Sequence, residues 1–296
     1  MRLITNPGSN VSKAMVARYD VDLTAQQIIV DDKRFDTRES ISHATIDGWV
    51  RTAKQHPHVL GTSAAESVEI FKQASRFDDE LIAIMTSRKL IGSYTAAVAA
   101  KKALALAPAT KHLRIAVIDT RTTDLGANLC LAMAGEAIRA GLPFDDVVSL
   151  VERFAAREVL GLAVGTLDYL VKGGRAGFLR AWLANLLDVS PILTFNDGEL
   201  KAEGRISRSK SIPVAIAELV TAKLGRGRRV WAGVSYSTAP ELAAELEQEL
   251  RSRLDIAYLE TRRISSSIYL HTGPGALGAF VNPIDDLGFD SPAPRF

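Results

Sequence analysis

The first half of the chain alternates short, nearly continuous apolar runs with longer stretches of helical periodicity. The runs fall at residues 2–5, 58–63, 80–87 and 114–120. Runs this short with apolar residues on consecutive positions predict strands buried on both faces. Between or after them, apolar spacing predicts helices over 43–55, 64–76, 91–107 and 124–140. Alternation of this kind implies a parallel sheet with helices on both faces, a three-layer α/β/α arrangement.

The second half has a different texture. Residues 159–166 read as a strand, and a short helix from Leu167 to Val171 leads into Lys172-Gly173-Gly174-Arg175. A helix follows over 176–188, with Phe178, Leu179, Trp182, Leu183, Leu186 and Leu187 at helical spacing in one wide apolar stripe. Two extended runs, 192–195 and 199–206, flank Asn196-Asp197-Gly198 and predict a hairpin. Helices near 211–224 and 239–254 flank a strand at 229–236. The chain then closes through Tyr258–Glu260 and an apolar-tending strand, Ile268-Tyr269-Leu270, that runs into His271. This predicts a mixed sheet and a boundary near 155. The expected division is a parallel-sheet α/β domain over 1–155 and a mixed-sheet α/β domain over 156–296, packed directly with a ligand cleft between them. There is no internal repeat and no low-complexity linker.

Composition narrows the class. Apolar residues make up 47% and charged residues 24%, the balance of an ordinary soluble globular protein. The net charge of +2 gives no reason to expect nucleic acid. The single cysteine, Cys130, sits in an apolar run, which excludes an internal disulfide and favours an inert buried thiol. No secretory signal or membrane-spanning run is evident, so a reduced, cytoplasmic setting is expected.

Several chemistries find little support. Gly233-Val234-Ser235-Tyr236-Ser237 begins like a nucleophile elbow but lacks the closing glycine. His56 and His58 have no acidic or thiol ligand near them in sequence, so no metal site is expected. Dinucleotide and Walker motifs are absent. Lys172-Gly173-Gly174-Arg175 suits a phosphate cradle as well as it suits the end of one helix and the start of the next.

Two features point to a ligand. The four strands of the first half end in hydroxyl residues, at Thr5, Thr62-Ser63, Thr86-Ser87 and Asp119-Thr120. Ligands in open α/β sheets bind at the carboxyl ends of strands, although such residues also serve as helix N-caps. The most distinctive stretch is His271-Thr272-Gly273-Pro274-Gly275-Ala276-Leu277-Gly278, which sets an imidazole and a hydroxyl at a tight bend where glycines admit a ligand to the backbone.

That stretch resembles the C-terminal HTGPGALG signature of the DegV family of bacterial fatty-acid-binding proteins. Thr166 to Arg175 is similar to the family's TLxYLKKGGR segment, and Ser190-Pro191-Ile192-Leu193 with Asp197-Gly198 to its hairpin. Thr62-Ser63 and Gly92-Ser93-Tyr94 stand where the family has further hydroxyl-rich motifs. The chain departs from the pattern at Asn6-Pro7-Gly8, at Ala65 and at Ile91, where the family has an acid, a proline and a serine.

The resemblance implies a long-chain fatty acid held non-covalently between two domains, with no cofactor and no catalysis by the chain itself. It implies a carboxylate held by Thr62, Ser63, Ser93, His271 and Thr272. Ile91, Gly92, Arg175, Phe178, Trp182 and Gly273 are the candidate surroundings of the headgroup or acyl chain. Burying about fourteen methylenes gains roughly 11 kcal/mol at about 0.8 kcal/mol each, before the costs of binding. Among implied partners is a separate fatty-acid kinase, which makes an acyl phosphate for phospholipid synthesis; the resemblance leaves room for transient membrane contact. The alternative class is an enzyme acting on an acyl or phosphorylated small molecule, with His271 as general base.

Overall fold

The computed structural model describes residues 1–39, 41–175, 177, 191–206, 210–289 and 293–294. Its first half runs β1 (Arg2–Thr5), α1 (Lys13–Tyr19), β2 (Val21–Leu23), β3 (Gln27–Val30), β4 (Lys33–Asp36), α2 (His43–Thr52), β5 (His58–Leu60), α3 (Ala64–Ala74), β6 (Glu80–Met85), α4 (Ser93–Leu106), β7 (Arg114–Asp119), α5 (Asp124–Arg139) and α6 (Phe144–Ala155). The second half runs β8 (Val159–Ala163), α7 (Asp168–Lys172), β9 (Pro191–Asn196), β10 (Glu199–Arg205), α8 (Ile212–Leu224), β11 (Arg229–Tyr236), α9 (Pro240–Arg251), β12 (Asp255–Arg263), α10 (Ser266–Thr272) and β13 (Leu277–Pro283).

Strands β2-β1-β6-β7 form a parallel sheet in that order. The pleat sends alternate residues of β6 to opposite faces. Leu81, Ala83 and Met85 pack with Phe71 of α3 and with Ala97, Ala100 and Leu104 of α4. Ile82 and Ile84 pack on the other face with Leu129 and Met133 of α5. The three expected layers are therefore present.

The second sheet, ordered β10-β9-β8-β13-β11-β12, is mixed: β11 and β12 are parallel and the other pairs antiparallel. One face packs against α8 and α9 through Ile216, Val220, Ala243 and Leu246. The other turns inward, where Leu160, Leu162, Leu193 and Phe280 meet α7, α10 and the first half of the chain. Helix α5 is the shared wall, and its residues 124–137 are all buried. It closes on the mixed sheet so tightly that a Cβ on Gly233 would lie 2.7 Å from Leu125 Cβ. Among the described residues no helix is long and apolar enough to cross a membrane.

Two local expectations need correction. The run at 58–63 contributes β5, which belongs to a small antiparallel sheet, β4-β3-β5, and not to the parallel one. The stretch leading into His271 is helix α10, not a strand. Short apolar runs do not distinguish the two by periodicity. Here Ser265 starts a helix with its N–H donating to Asp124 Oδ2 at 3.0 Å, and Gly273, at φ +68°, ends it. Helices α1 and α6 and strands β2, β3, β4 and β13 were not anticipated. The expected helix over 176–188, with its apolar stripe, lies outside the described residues apart from Gly177.

Candidate functional site

The hydroxyls at the tips of the parallel strands turn out to be structural. Thr5 Oγ1 donates to Ile84 O at 2.6 Å, and Thr120 Oγ1 donates to Met85 O at 2.9 Å. Thr86 exchanges bonds with Asn6: its N–H donates to Oδ1 at 3.1 Å, and Asn6 Nδ2 donates to its hydroxyl at 3.1 Å. Ser87 Oγ donates to Gly198 O at 2.7 Å and docks the tip of the β9–β10 hairpin. Each of these groups is paired within the fold, with a buried carbonyl or with the Asn6 amide, as buried polar groups must be.

The chemistry collects instead on α10 and after α7. His271 and Arg175 line one cavity, whose apolar wall includes Leu162, Leu170, Phe195 and Ile268. Two glycines lock the segments together. A Cβ on Gly173 would sit 2.3 Å from His271 Nδ1, and one on Gly273 would sit 2.6 Å from the Tyr169 ring. Each glycine thus makes room for an aromatic ring of the other segment.

His271 Nδ1 is buried with no hydrogen-bond partner among the described residues. Burial, helped by the charge of Arg175 and by His56, pushes the ring down to about 3. The imidazole is therefore neutral at physiological pH. The positive charge comes from Arg175. Its guanidinium donates to Gly173 O at 2.6 Å and to Leu90 O at 2.8 Å, and burial lowers its pKa. No carboxylate pairs with it among the described residues. It stands where the cavity meets an opening lined by Gly61, Thr62, Ser63, Ile91 and Gly92.

The remaining expected residues divide by whether their hydroxyls are free. Ser93, the first residue of α4, is buried and its Oγ has no partner among the described residues. It lies under Gly61, whose added Cβ would come within 2.9 Å of it and 3.0 Å of Ile91 Cγ1. Thr62 Oγ1 donates to Ala25 O. Ser63 caps α3 in a reciprocal box with Glu66, donating its hydroxyl at 2.8 Å and accepting from the Glu66 N–H at 3.2 Å. Thr272 lines the cavity, but its hydroxyl donates to Ile268 O at 3.2 Å. Phe178 and Trp182 lie outside the described residues.

Sequence reasoning missed an anchor behind the site. Asp47 of α2 accepts from Tyr169 at 3.1 Å and from Tyr269 at 2.9 and 3.0 Å. Tyr269 also stacks on His43, with ring centroids 3.7 Å apart. One carboxylate on α2 thereby holds both α7 and α10, the two segments that bring Arg175 and His271 together. No spacing signals this, because the three residues lie in separate parts of the chain.

The model of the family described as "Uncharacterised protein, DegV family" matches residues 1–283. The chain belongs to the DegV family. A DegV domain-containing protein from Caldanaerobacter subterraneus is 28% identical over 280 residues, covering 94% of this chain and 97% of the relative. One from Deinococcus radiodurans is 28% identical over 284 residues, covering 95% and 98%. Among solved structures, a DegV family protein from Thermus thermophilus described as binding fatty acid superposes with a TM-score of 0.87 at 26% identity, over 96% of this chain and 99% of its own. A DegV family structure from Ruminococcus gnavus, with vaccenic acid, shares the fold at a TM-score of 0.85 and 18% identity, over 94% and 98%.

Proposed function

We propose that this chain binds a long-chain fatty acid non-covalently between its parallel-sheet part, 1–155, and its mixed-sheet part, 156–296. The observation that carries this is Arg175: a half-buried guanidinium, bonded only to carbonyls among the described residues, on the wall of an apolar cavity. A carboxylate neutralises that charge, and the cavity accepts the alkyl chain. Ser93 Oγ and a ring N–H of neutral His271 are the further donors. Thr62, Ser63 and Thr272, already engaged, shape the walls, with Ile91 and Gly92 at the opening. The Thermus relative's fatty acid supports the same class of ligand.

The enzyme alternative is less well supported. A ring held near 3 is a weak base at neutral pH, far from the matched pKa that general-base catalysis needs. The same chemistry suits a carrier that hands its carboxylate to a separate kinase, since Arg175 also borders an outer pocket with Lys89 and Glu199.

Organic extraction of the purified protein should release intact fatty acid in near-stoichiometric amount. Arg175→Met should lower retention by roughly ten- to a hundredfold, the worth of a charge-assisted hydrogen-bonded pair. His271→Ala should lower it less. An empty protein, or retention undiminished in Arg175→Met, sinks the proposal. Acyl phosphate formed only when ATP and a fatty-acid kinase are added would support the carrier role; formation by the chain alone would refute it.

A further inference from the structure

Most hydroxyls and amides on the cavity wall are engaged by the fold. Thr86 pairs with Asn6, Thr123 Oγ1 donates to Gly8 O at 3.1 Å, and Thr272 donates to Ile268 O. Two groups on the same wall are left over. Ser267 is 1% exposed, and its Oγ has no hydrogen-bond partner among the described residues. Gln26 is 3% exposed, and its amide orientation is set by its oxygen. Oε1 accepts from the Gly8 N–H at 2.9 Å and from Asn6 Nδ2 at 3.5 Å. An N–H can only meet the amide oxygen, so Nε2 is the end left as a donor. Nε2 has no acceptor among the described residues.

A plain alkyl chain leaves both groups desolvated and unpaired, which costs binding energy. Ser267 also stands four residues before His271 on α10. The two share a helix face about 6 Å apart along the axis. An oxygen that meets Ser267 therefore sits near the carboxyl end of the ligand and not at its far tip.

We propose that the cavity selects fatty acids bearing a hydroxyl or oxo oxygen within the first few carbons of the carboxylate, received by Ser267 Oγ and Gln26 Nε2. This rests on the fatty-acid reading above and adds the chemical class of the acid. A site built to hydrogen-bond a ligand oxygen discriminates against the analogue that lacks it.

The test is competitive binding to delipidated full-length protein by 3-hydroxyhexadecanoate, hexadecanoate and 16-hydroxyhexadecanoate. The 3-hydroxy acid should bind roughly five- to tenfold more tightly than hexadecanoate, the effect of one or two added hydrogen bonds. The 16-hydroxy acid should show no such gain. Ser267→Ala should erase the preference while leaving hexadecanoate affinity within about twofold. Gln26→Met, checked for an unchanged melting temperature, should reduce it. Equal binding of the 3-hydroxy and plain acids by the parent protein overturns the inference while leaving fatty-acid binding intact, and ordered water then satisfies both groups. A preference that survives Ser267→Ala, or one for the 16-hydroxy acid, also overturns it. Binding of none of the three defeats the fatty-acid reading itself, and this inference with it.

Discussion

The strand tips of the parallel sheet and the α10 turn facing them both carry hydroxyls and an anion-friendly geometry, yet they have opposite fates. At the strand tips, Thr5, Thr86, Ser87 and Thr120 each bond a backbone or side-chain partner of the fold. On the facing side, His271 Nδ1 and Ser267 Oγ have no partner among the described residues, and Arg175 has carbonyls where a carboxylate would suit it better. Buried polar groups are costly unless matched. An unmatched set beside a cavity is therefore a better guide to a binding site than a run of hydroxyls at the expected end of a sheet.

The sharpest way to break the contrast is to crowd the α10 side. In Gly173→Ala the new methyl lies 2.3 Å from His271 Nδ1, against a ring held by its own helix. We expect a loss of about 2–3 kcal/mol in urea unfolding from overpacking, together with loss of retained lipid. Unchanged stability and lipid content would mean that the two motifs are not interlocked. Asp47→Ala removes the acceptor shared by Tyr169 and Tyr269, and should cost about 2 kcal/mol while raising the rate at which bound acid dissociates. Tyr169→Phe should cost about 1 kcal/mol, because it leaves the Tyr269 bonds in place. A dissociation rate that does not follow the Asp47 change would confine this carboxylate to stability.

Two buried titrating groups extend the comparison to pH. His271 in the ligand-free protein is held near 3 against an ordinary 6.5, so between those values the unfolded chain binds the extra proton. Its contribution to stability is therefore lost as pH falls from about 6.5 toward about 3. His271→Gln should remove that part of the acid slope in denaturation measured across the window. Glu158 behaves in the opposite sense. It faces Thr122 and Gly126 with Oε2 unpartnered among the described residues, and burial raises it from 4.5 to about 8. Here the folded state holds the extra proton, and stability is lost as pH rises through that interval. Glu158→Gln should flatten the alkaline limb; a limb unchanged by the substitution would show that a partner stabilises the carboxylate. The smallest effect belongs to the strand tips. Thr5→Val should cost about 1 kcal/mol and leave lipid content unchanged. A drop in lipid there would return the strand tips to the site.

Much of the architecture was legible in the chain. Buried parallel strands read as continuous apolar runs, so β1, β6 and β7 were visible, and Asp197-Gly198 marked the hairpin. Strand β5 reads like the buried parallel strands because a short apolar run says nothing about which sheet it joins; its three residues are at most partly buried. The approach to His271 reads as a strand because three apolar-tending residues, Ile268-Tyr269-Leu270, fit either period. Its helical form depends on Asp124, more than a hundred residues earlier, receiving the Ser265 N–H.

By itself, the sequence determined the α/β class, the mixed character of the second sheet, and the motifs that mark the family. Those are written in local periodicity, turn chemistry and residue order. Only the tertiary structure decided which polar groups are free. Whether Thr62 donates to a ligand or to Ala25 O, and whether His271 is a cation or a neutral ring, depends on neighbours brought from distant parts of the chain. Desolvation and hydrogen-bond pairing are properties of the packed interior, and spacing along the chain carries no record of them.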